Sequence, residues 1–183
     1  MTTSSFGFEH SVNANVERQR PLEDGIKFKG QMKVEVIRDG KTIHEELFSN
    51  DVVDEGKTSI LDSFFRNQAP PAQFYLGLLN DPATLAASDV MSSHAGWTEF
   101  TAYSEVTRPA WGTTAAAANS ITNSTPATFT ITGGATTIFG IFVPSENTKS
   151  GVTGILWSTA PFAGPIPVTG GDIIKISYTV NAV

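Results

Sequence analysis

The alternation of hydrophobic and polar residues predicts that regular structure begins near Gln31. Residues 33–36 alternate with a period of two, and an Asp39-Gly40 pair follows before the next β-like run. Asp-Gly between two such runs favours a tight hairpin turn, because both turn positions need positive φ. The pattern therefore predicts a β-hairpin whose return strand covers residues 42–48. This hairpin carries many charges, so we expect one of its faces to contact solvent.

The pattern changes to a helical period after the hairpin. Residues 54–56 read Asp-Glu-Gly, and Ile60, Leu61, Phe64 and Phe65 then form one apolar stripe. This predicts a helix over about residues 55–65, with Asp54 as its N-cap and the acidic pair favouring the helix dipole. We expect Asn67 and the prolines at residues 70–71 to end it.

Short strands and turns dominate the rest of the chain. Gly, Pro and Asn turns separate predicted strands at residues 74–79, 97–103, 108–111, 120–123, 127–132, 136–143, 154–160 and 172–180. The last strand has the clearest period of two. Residues 85–91 are predicted to form a short helix and residues 115–118 a loop. This spacing predicts an all-β fold, an antiparallel sandwich or barrel with one short helix.

The predicted division is an extended N-terminal arm, residues 1–30, followed by a single β-sandwich domain, residues 31–183. We expect the largest apolar side chains of the helix and strands to close the core. The expected members are Phe64, Phe65, Phe74, Leu76, Trp97, Phe129, Ile131, Phe139, Ile141, Leu156, Ile174 and Ile176.

Composition narrows the class of partners. The chain has 183 residues, no cysteine and a net charge of −6. Phosphate binding needs clustered Lys and Arg, so an acidic chain argues against nucleic acid as the main partner. Apolar runs such as residues 138–143 are far too short to span a bilayer. The N-terminus shows no secretory-signal pattern, so we expect a protein made in the cytoplasm and not inserted in a membrane.

Charge is distributed very unevenly. Residues 1–66 hold nine of the twelve basic and twelve of the eighteen acidic residues, which leaves three basic and six acidic groups for residues 67–183. Soluble domains are ordinarily about a quarter charged. Thr, Ser, Asn, Gly and Ala must therefore cover the outside of the second part, and such neutral groups are cheap to desolvate. This composition indicates a component of an assembly.

The N-terminal arm is polar with few apolar groups. Phe6 and Phe8 are isolated apolar anchors, and Arg18 and Arg20 precede Pro21. Two interpretations remain open: a disordered terminus, or an extended arm that orders on a neighbouring subunit. Under the second, these four residues are the candidate contacts with a partner.

Candidate catalytic chemistry is sparse. The three histidines are too far apart in sequence to form a local metal motif, and a Ser-His-acid set around His94 has no supporting motif. The carboxylates that could form a glycosidase-like pair are Asp89, Glu99, Glu105 and Asp172. Of these, Glu99 lies between Trp97 and Phe100 and could face a sugar. We expect no enzyme activity, no cofactor and no metal site.

Several segments carry a resemblance to a known family, in the same order along the chain. They are VDEGK (53–57) with the helix 60–65, FYLGLL (74–79), MSSHAGWTEFTAY (91–103), TRPAW (107–111), SITN (120–123), ATFTI (127–131), TIFGIF (137–142), GILWS (154–158) and GDIIKISYT (171–179). Together they cover roughly residues 31–179. The chain resembles a family of small virion structural proteins of tailed bacteriophages. Residues 1–30 depart from the short start expected of that family.

The resemblance implies a β-sandwich or jelly roll, often trimeric, located in the virion. It implies a capsid decoration (cement) protein whose partners are its own copies, expected as a homotrimer, and the major capsid protein. The alternative is a tail, baseplate or fibre component. A more remote alternative is a carbohydrate-binding module that stacks sugars on exposed Trp97, Trp111 and Trp157.

Overall fold

The predicted hairpin opens the regular structure. The computed structural model describes residues 27–82, 84–93 and 97–183. Strand β1 is Phe28–Arg38 and strand β2 is Lys41–Val52, paired antiparallel through the Asp39-Gly40 turn. Both turn residues have positive φ, 50° and 74°, as that turn chemistry requires. The hairpin prediction is confirmed, although β1 begins three residues before Gln31, inside the range predicted as arm.

The other elements follow the predicted order, except that residues 108–111 form no strand and make only one isolated bridge, Ala110 with Tyr75. They are helix α1 (Asp54–Phe65) and strands β3 (Gly77–Leu79), β4 (Glu99–Phe100), β5 (Ser120–Thr122), β6 (Ala127–Thr130), β7 (Thr136–Pro144), β8 (Leu156–Val168) and β9 (Ile173–Ala182). The predicted helix is confirmed, but Asp54 is its first residue and Val53 is its N-cap. Asn67 has φ 53°, the left-handed conformation common just after a helix end. Residues 115–118 are a loop, as predicted.

The strands form one antiparallel sheet that folds over its own core. The order is β4-β3-β7-β8-β2-β1-β9-β5, with β6 also paired to β9. Strand β2 joins the two halves, because its end pairs with β8 at Asp51–Thr159 and Val52–Ser158. Buried residues of both halves belong to one cluster, for example Val34 and Ile176 with Ile141 and Ala160. The two halves therefore face each other, and the predicted all-β, sandwich-like fold is confirmed.

Strand alternation selects the residues of this core. In β9, Ile174, Ile176, Tyr178 and Val180 are buried and the residues between them are only partly buried. Because successive side chains of a strand point to opposite faces, this is the period of two that the sequence displays. A smaller cluster, which includes Leu79, Met91 and Phe142, lies beside the main one.

Most of the predicted core is confirmed. The fully or largely buried members are Leu76, Trp97, Phe129, Ile131, Ile141, Leu156, Ile174 and Ile176, while Phe74 and Phe139 are partly buried against them. The prediction is wrong for Phe64 and Phe65, which are 80% and 75% exposed. The helical stripe exists, but it points out from the body.

The predicted helix at residues 85–91 is also wrong. The described residues there form turns, in which the Asp89 backbone N–H bonds to Ala86 O and the Ala86 N–H donates to the Asp89 carboxylate at 3.0 Å. An Asp side chain that bonds to nearby backbone competes with helix formation in this way. For strand β8, the predicted strand at residues 154–160 was too short. Strand β8 continues past Ala160 to Val168 despite three prolines, with Phe162, Ile166 and Val168 still facing the core.

Candidate functional site

The arm residues predicted to contact a partner lie outside the described part of the chain. This applies to Phe6, Phe8, Arg18 and Arg20, and also to His94. The remaining candidates, the four carboxylates and the three tryptophans, can be placed, and each has a structural role.

Glu99 forms a buried ion pair with Arg108. The Arg108 guanidinium donates from Nε to Oε1 and from Nη2 to Oε2, both at 2.9 Å, and the two side chains are 1% and 5% exposed. The Ser150 N–H donates to the same carboxylate at 2.5 Å. Both oxygens of the Glu99 carboxylate are therefore engaged by donors of the protein itself.

Arg108 also holds the loop between β7 and β8. Its Nη1 donates to Glu146 O at 2.8 Å and its Nη2 to Gly151 O at 2.9 Å, and its guanidinium lies 5.1 Å from the centre of the Phe142 ring. Sequence reasoning missed this role. The available signal was an arginine among only three basic residues of a charge-poor stretch, nine positions after a glutamate.

The other three carboxylates also accept hydrogen bonds that organise the fold. Glu105 accepts from the Thr130 N–H at 3.0 Å, and Asp89 from Ala86 and from the Trp97 indole N–H at 3.4 Å. Asp172 is bound by Arg38. Within the described ranges, no group of three or more His, Cys, Asp or Glu residues could hold a metal ion. Each of the four carboxylates is thus held by hydrogen-bond donors of the protein itself.

Asp172 links the end of β1 to the turn before β9. Arg38 donates to its two oxygens at 2.8 and 2.7 Å, and the Thr169 N–H donates at 2.8 Å. The Arg38 hydrogen bond, helped by that of Thr169, holds the pKa of Asp172 below its ordinary value, against the opposing effect of burial.

The pKa of Asp172 in the folded protein lies below the unfolded value, which is about 3.9 for aspartate. The ionised carboxylate therefore stabilises the fold above that unfolded pKa, and this stability is lost as the pH falls through the folded pKa. We therefore expect Asp172→Asn to have a lower urea midpoint than the wild type at pH 7. The two midpoints should converge as the solution is acidified below about pH 4. In a chain that already carries Arg38→Ala, the same substitution should show a smaller pH dependence. A difference in urea midpoint between Asp172→Asn and the wild type that stays constant down to acid pH would contradict this linkage.

The three tryptophans pack inside the body. Trp97, Trp111 and Trp157 are all buried. The Trp111 indole donates to Tyr178 O at 3.0 Å, and the Trp157 indole donates to the buried Tyr178 hydroxyl at 2.8 Å. The predicted core packing of Trp97 and Trp157 is confirmed. A sugar-stacking platform needs exposed ring faces, and these indoles do not offer them.

Helix α1 is attached to the body by its first turn. The carboxylate of Glu55 accepts from the backbone N–H groups of Met91 at 2.9 Å and Leu156 at 2.7 Å. Gly56 is buried against β8, where an added Cβ would lie 2.6 Å from Trp157 O. Only glycine allows this close approach, so the start of the helix is fixed and its second half extends away from the sheets.

Gly56→Ala distinguishes this packing from helix propensity. In an exposed helix, alanine would gain about 1 kcal/mol over glycine. Here the added methyl meets backbone, so we expect a loss of about 1–3 kcal/mol instead. The check is urea unfolding, with the exposed helix position Thr58→Ala as the matched control, for which we expect no loss. A stabilised Gly56→Ala variant would contradict the close contact.

The outer half of α1 presents an apolar face. Leu61, Phe64 and Phe65 are 56%, 80% and 75% exposed, and the two phenylalanine rings pack edge-to-face at 5.1 Å. A groove of about 610 Å³, here called the α1 groove, runs between this face and the start of β1. It is lined by Lys27, Phe28, Lys29, Lys57, Ile60, Leu61, Phe64 and Phe65.

This face is the strongest candidate functional surface on the described part of the chain. Contiguous exposed apolar patches on soluble proteins commonly mark interaction sites. The stripe was visible in the sequence, but its direction was not, because the contact that turns it outward joins Gly56 to a distant strand.

Comparison with known proteins found no relative of this chain among the families and curated proteins searched. No protein-family model matches the chain, and a search of curated proteins found no match. Among the described residues, no helix has the length and apolar character needed to cross a membrane.

Proposed function

We propose that this chain is a structural protein of a tailed-bacteriophage virion that binds and stabilises the capsid shell as a decoration (cement) protein. The observation that carries the proposal is the exposed apolar face of α1. Leu61, Phe64 and Phe65 stand on a helix held rigidly at its start, which suits a surface that packs against other protein. The family resemblance supplies the kind of assembly.

The neutral surface of the body supports the same proposal. Of the nine charged residues in residues 67–183, Asp89, Arg108 and Asp172 are buried, as is the Glu99 side chain. The outside of this part therefore carries even fewer charges than its sequence suggests. Charged residues are depleted at the core of protein interfaces, so these neutral faces are our candidate contacts between like subunits, expected as a homotrimer.

The part of the predicted arm that precedes β1, residues 1–26, is proposed as the contact with a different protein. Phe6 and Phe8 would supply apolar anchors, and Arg18 and Arg20 charged ones. We expect a chain that lacks residues 1–26, and therefore keeps all of β1, to lose binding to purified capsids. Undiminished capsid binding by that truncated chain would refute the role of the arm.

Location on the particle tests the proposal. In particles of the phage that encodes the chain, a tagged copy should label the capsid shell, at a fixed whole-number ratio to the major capsid protein. Label at the tail, with few copies per particle, would favour the tail, baseplate or fibre alternative. Absence from purified particles would reject a virion role.

A further inference from the structure

The α1 groove has a feature that the proposed function does not use: it lies where the described chain begins. Lys27 lines the groove and Phe28 starts β1. The described chain therefore begins beside the groove. Any segment tethered there is present at an effective concentration of the order of millimolar or above.

The composition of the preceding five residues complements the groove. Residues 22–26 read Leu-Glu-Asp-Gly-Ile, with two apolar and two acidic side chains. The lining of the groove holds three lysines, Lys27, Lys29 and Lys57, beside the apolar helix face, and no acidic residue. Of these, Lys57 also pairs with Asp54 at 3.0 Å. Apolar side chains would meet apolar side chains, and carboxylates would meet ammonium groups.

The length of residues 22–26 also matches the length of helix α1. Five extended residues span up to about 17 Å, and a helix of 12 residues is about 18 Å long. A segment of this length, starting at Lys27, can reach the exposed second half of α1.

The available area favours a short segment over a second copy of the chain. Leu61, Phe64 and Phe65 expose roughly 400 Å² together, if a phenylalanine side chain presents about 200 Å². A stable interface between two proteins needs about 800 Å² on each partner. The patch is too small for that alone, yet large enough to be costly if left in water.

We propose that the α1 groove binds residues 22–26 of the same chain, with Leu22 and Ile26 against Leu61, Phe64 and Phe65, and Glu23 and Asp24 facing Lys29 and Lys57. This contact fixes the point from which residues 1–21 leave the body. In the isolated chain residues 22–26 would cover the α1 face, so a partner that packs against that face would first displace them. The contact itself can be tested on the isolated chain, without the proposed virion role.

Disulfide trapping tests the contact directly, because the chain contains no cysteine. Leu22→Cys with Phe65→Cys should form an intrachain disulfide under mild oxidation at least about tenfold faster than Val12→Cys with Phe65→Cys. An unbound segment would give similar rates, since the closure entropy changes only with the logarithm of loop length. Similar rates would therefore overturn the proposal, and a disulfide between two chains would assign the groove to a second copy.

Dye binding by the full-length chain gives a second readout. Leu22→Ser with Ile26→Ser should raise the fluorescence of the apolar dye ANS at least about twofold, with near-UV circular dichroism unchanged. The matched pair Val12→Ser with Val16→Ser should leave ANS fluorescence at the wild-type level. An equal increase from both pairs, or none from the first, would contradict docking by residues 22–26.

Discussion

Replacing Arg108 with alanine should destabilise the fold by about 3–5 kcal/mol, because it leaves a buried carboxylate without its partner. Glu99 would keep one backbone donor, the Ser150 N–H. The carbonyls of Glu146 and Gly151 would also lose a donor. Since whole domains are stable by about 5–15 kcal/mol, a loss of this size should shift the urea midpoint strongly.

Two further variants separate the cause. Arg66→Ala breaks an exposed ion pair with Asp62, also at 2.9 Å, and should cost no more than about 0.5 kcal/mol. Arg108→Met combined with Glu99→Leu removes both charges and should be less destabilised than Arg108→Ala alone. If the double variant is as unstable as the single one, lost packing and not the unpaired charge is responsible.

Replacing Phe129 with alanine should have an effect of similar size, about 3–5 kcal/mol. Phe129 lies on β6, is fully buried and packs edge-to-face on Tyr103 with ring centres 5.0 Å apart. Truncation removes these contacts and leaves a cavity between the two halves of the sheet. Urea unfolding, followed by near-UV circular dichroism, measures the loss.

Phe64→Ala is the matched control, because it makes the same change on α1. Its side chain is 80% exposed, so we expect a loss of no more than about 1 kcal/mol. The helical pattern in the sequence predicts equal losses for the two phenylalanines, whereas the structure predicts a large difference. Equal losses would show that α1 packs inward.

Local chemistry explains why much of the fold could be predicted. The Asp39-Gly40 turn depends on two residues, and the alternation of β9 depends on consecutive ones. Both are therefore present in a short stretch of sequence. Strand β8 was predicted too short because proline usually interrupts a strand interior, although it is tolerated where its missing N–H is not needed.

The candidate site depends on long-range contacts, so the sequence could give only its parts. The stripe of α1 was recognisable, but Gly56 packs on Trp157 and Glu55 binds Leu156, both about a hundred positions away. Those contacts turn Phe64 outward. The partner of Glu99 was likewise hidden, because the bidentate geometry of Arg108 requires the folded loop between β7 and β8.

The measurement that most directly tests the proposed role is the heat stability of phage particles with and without this protein. Particles assembled without it should release their DNA at a lower temperature, and adding the purified protein back should restore the release temperature of complete particles. Identical release temperatures, with no change on adding the protein back, would contradict a decoration protein that stabilises the shell.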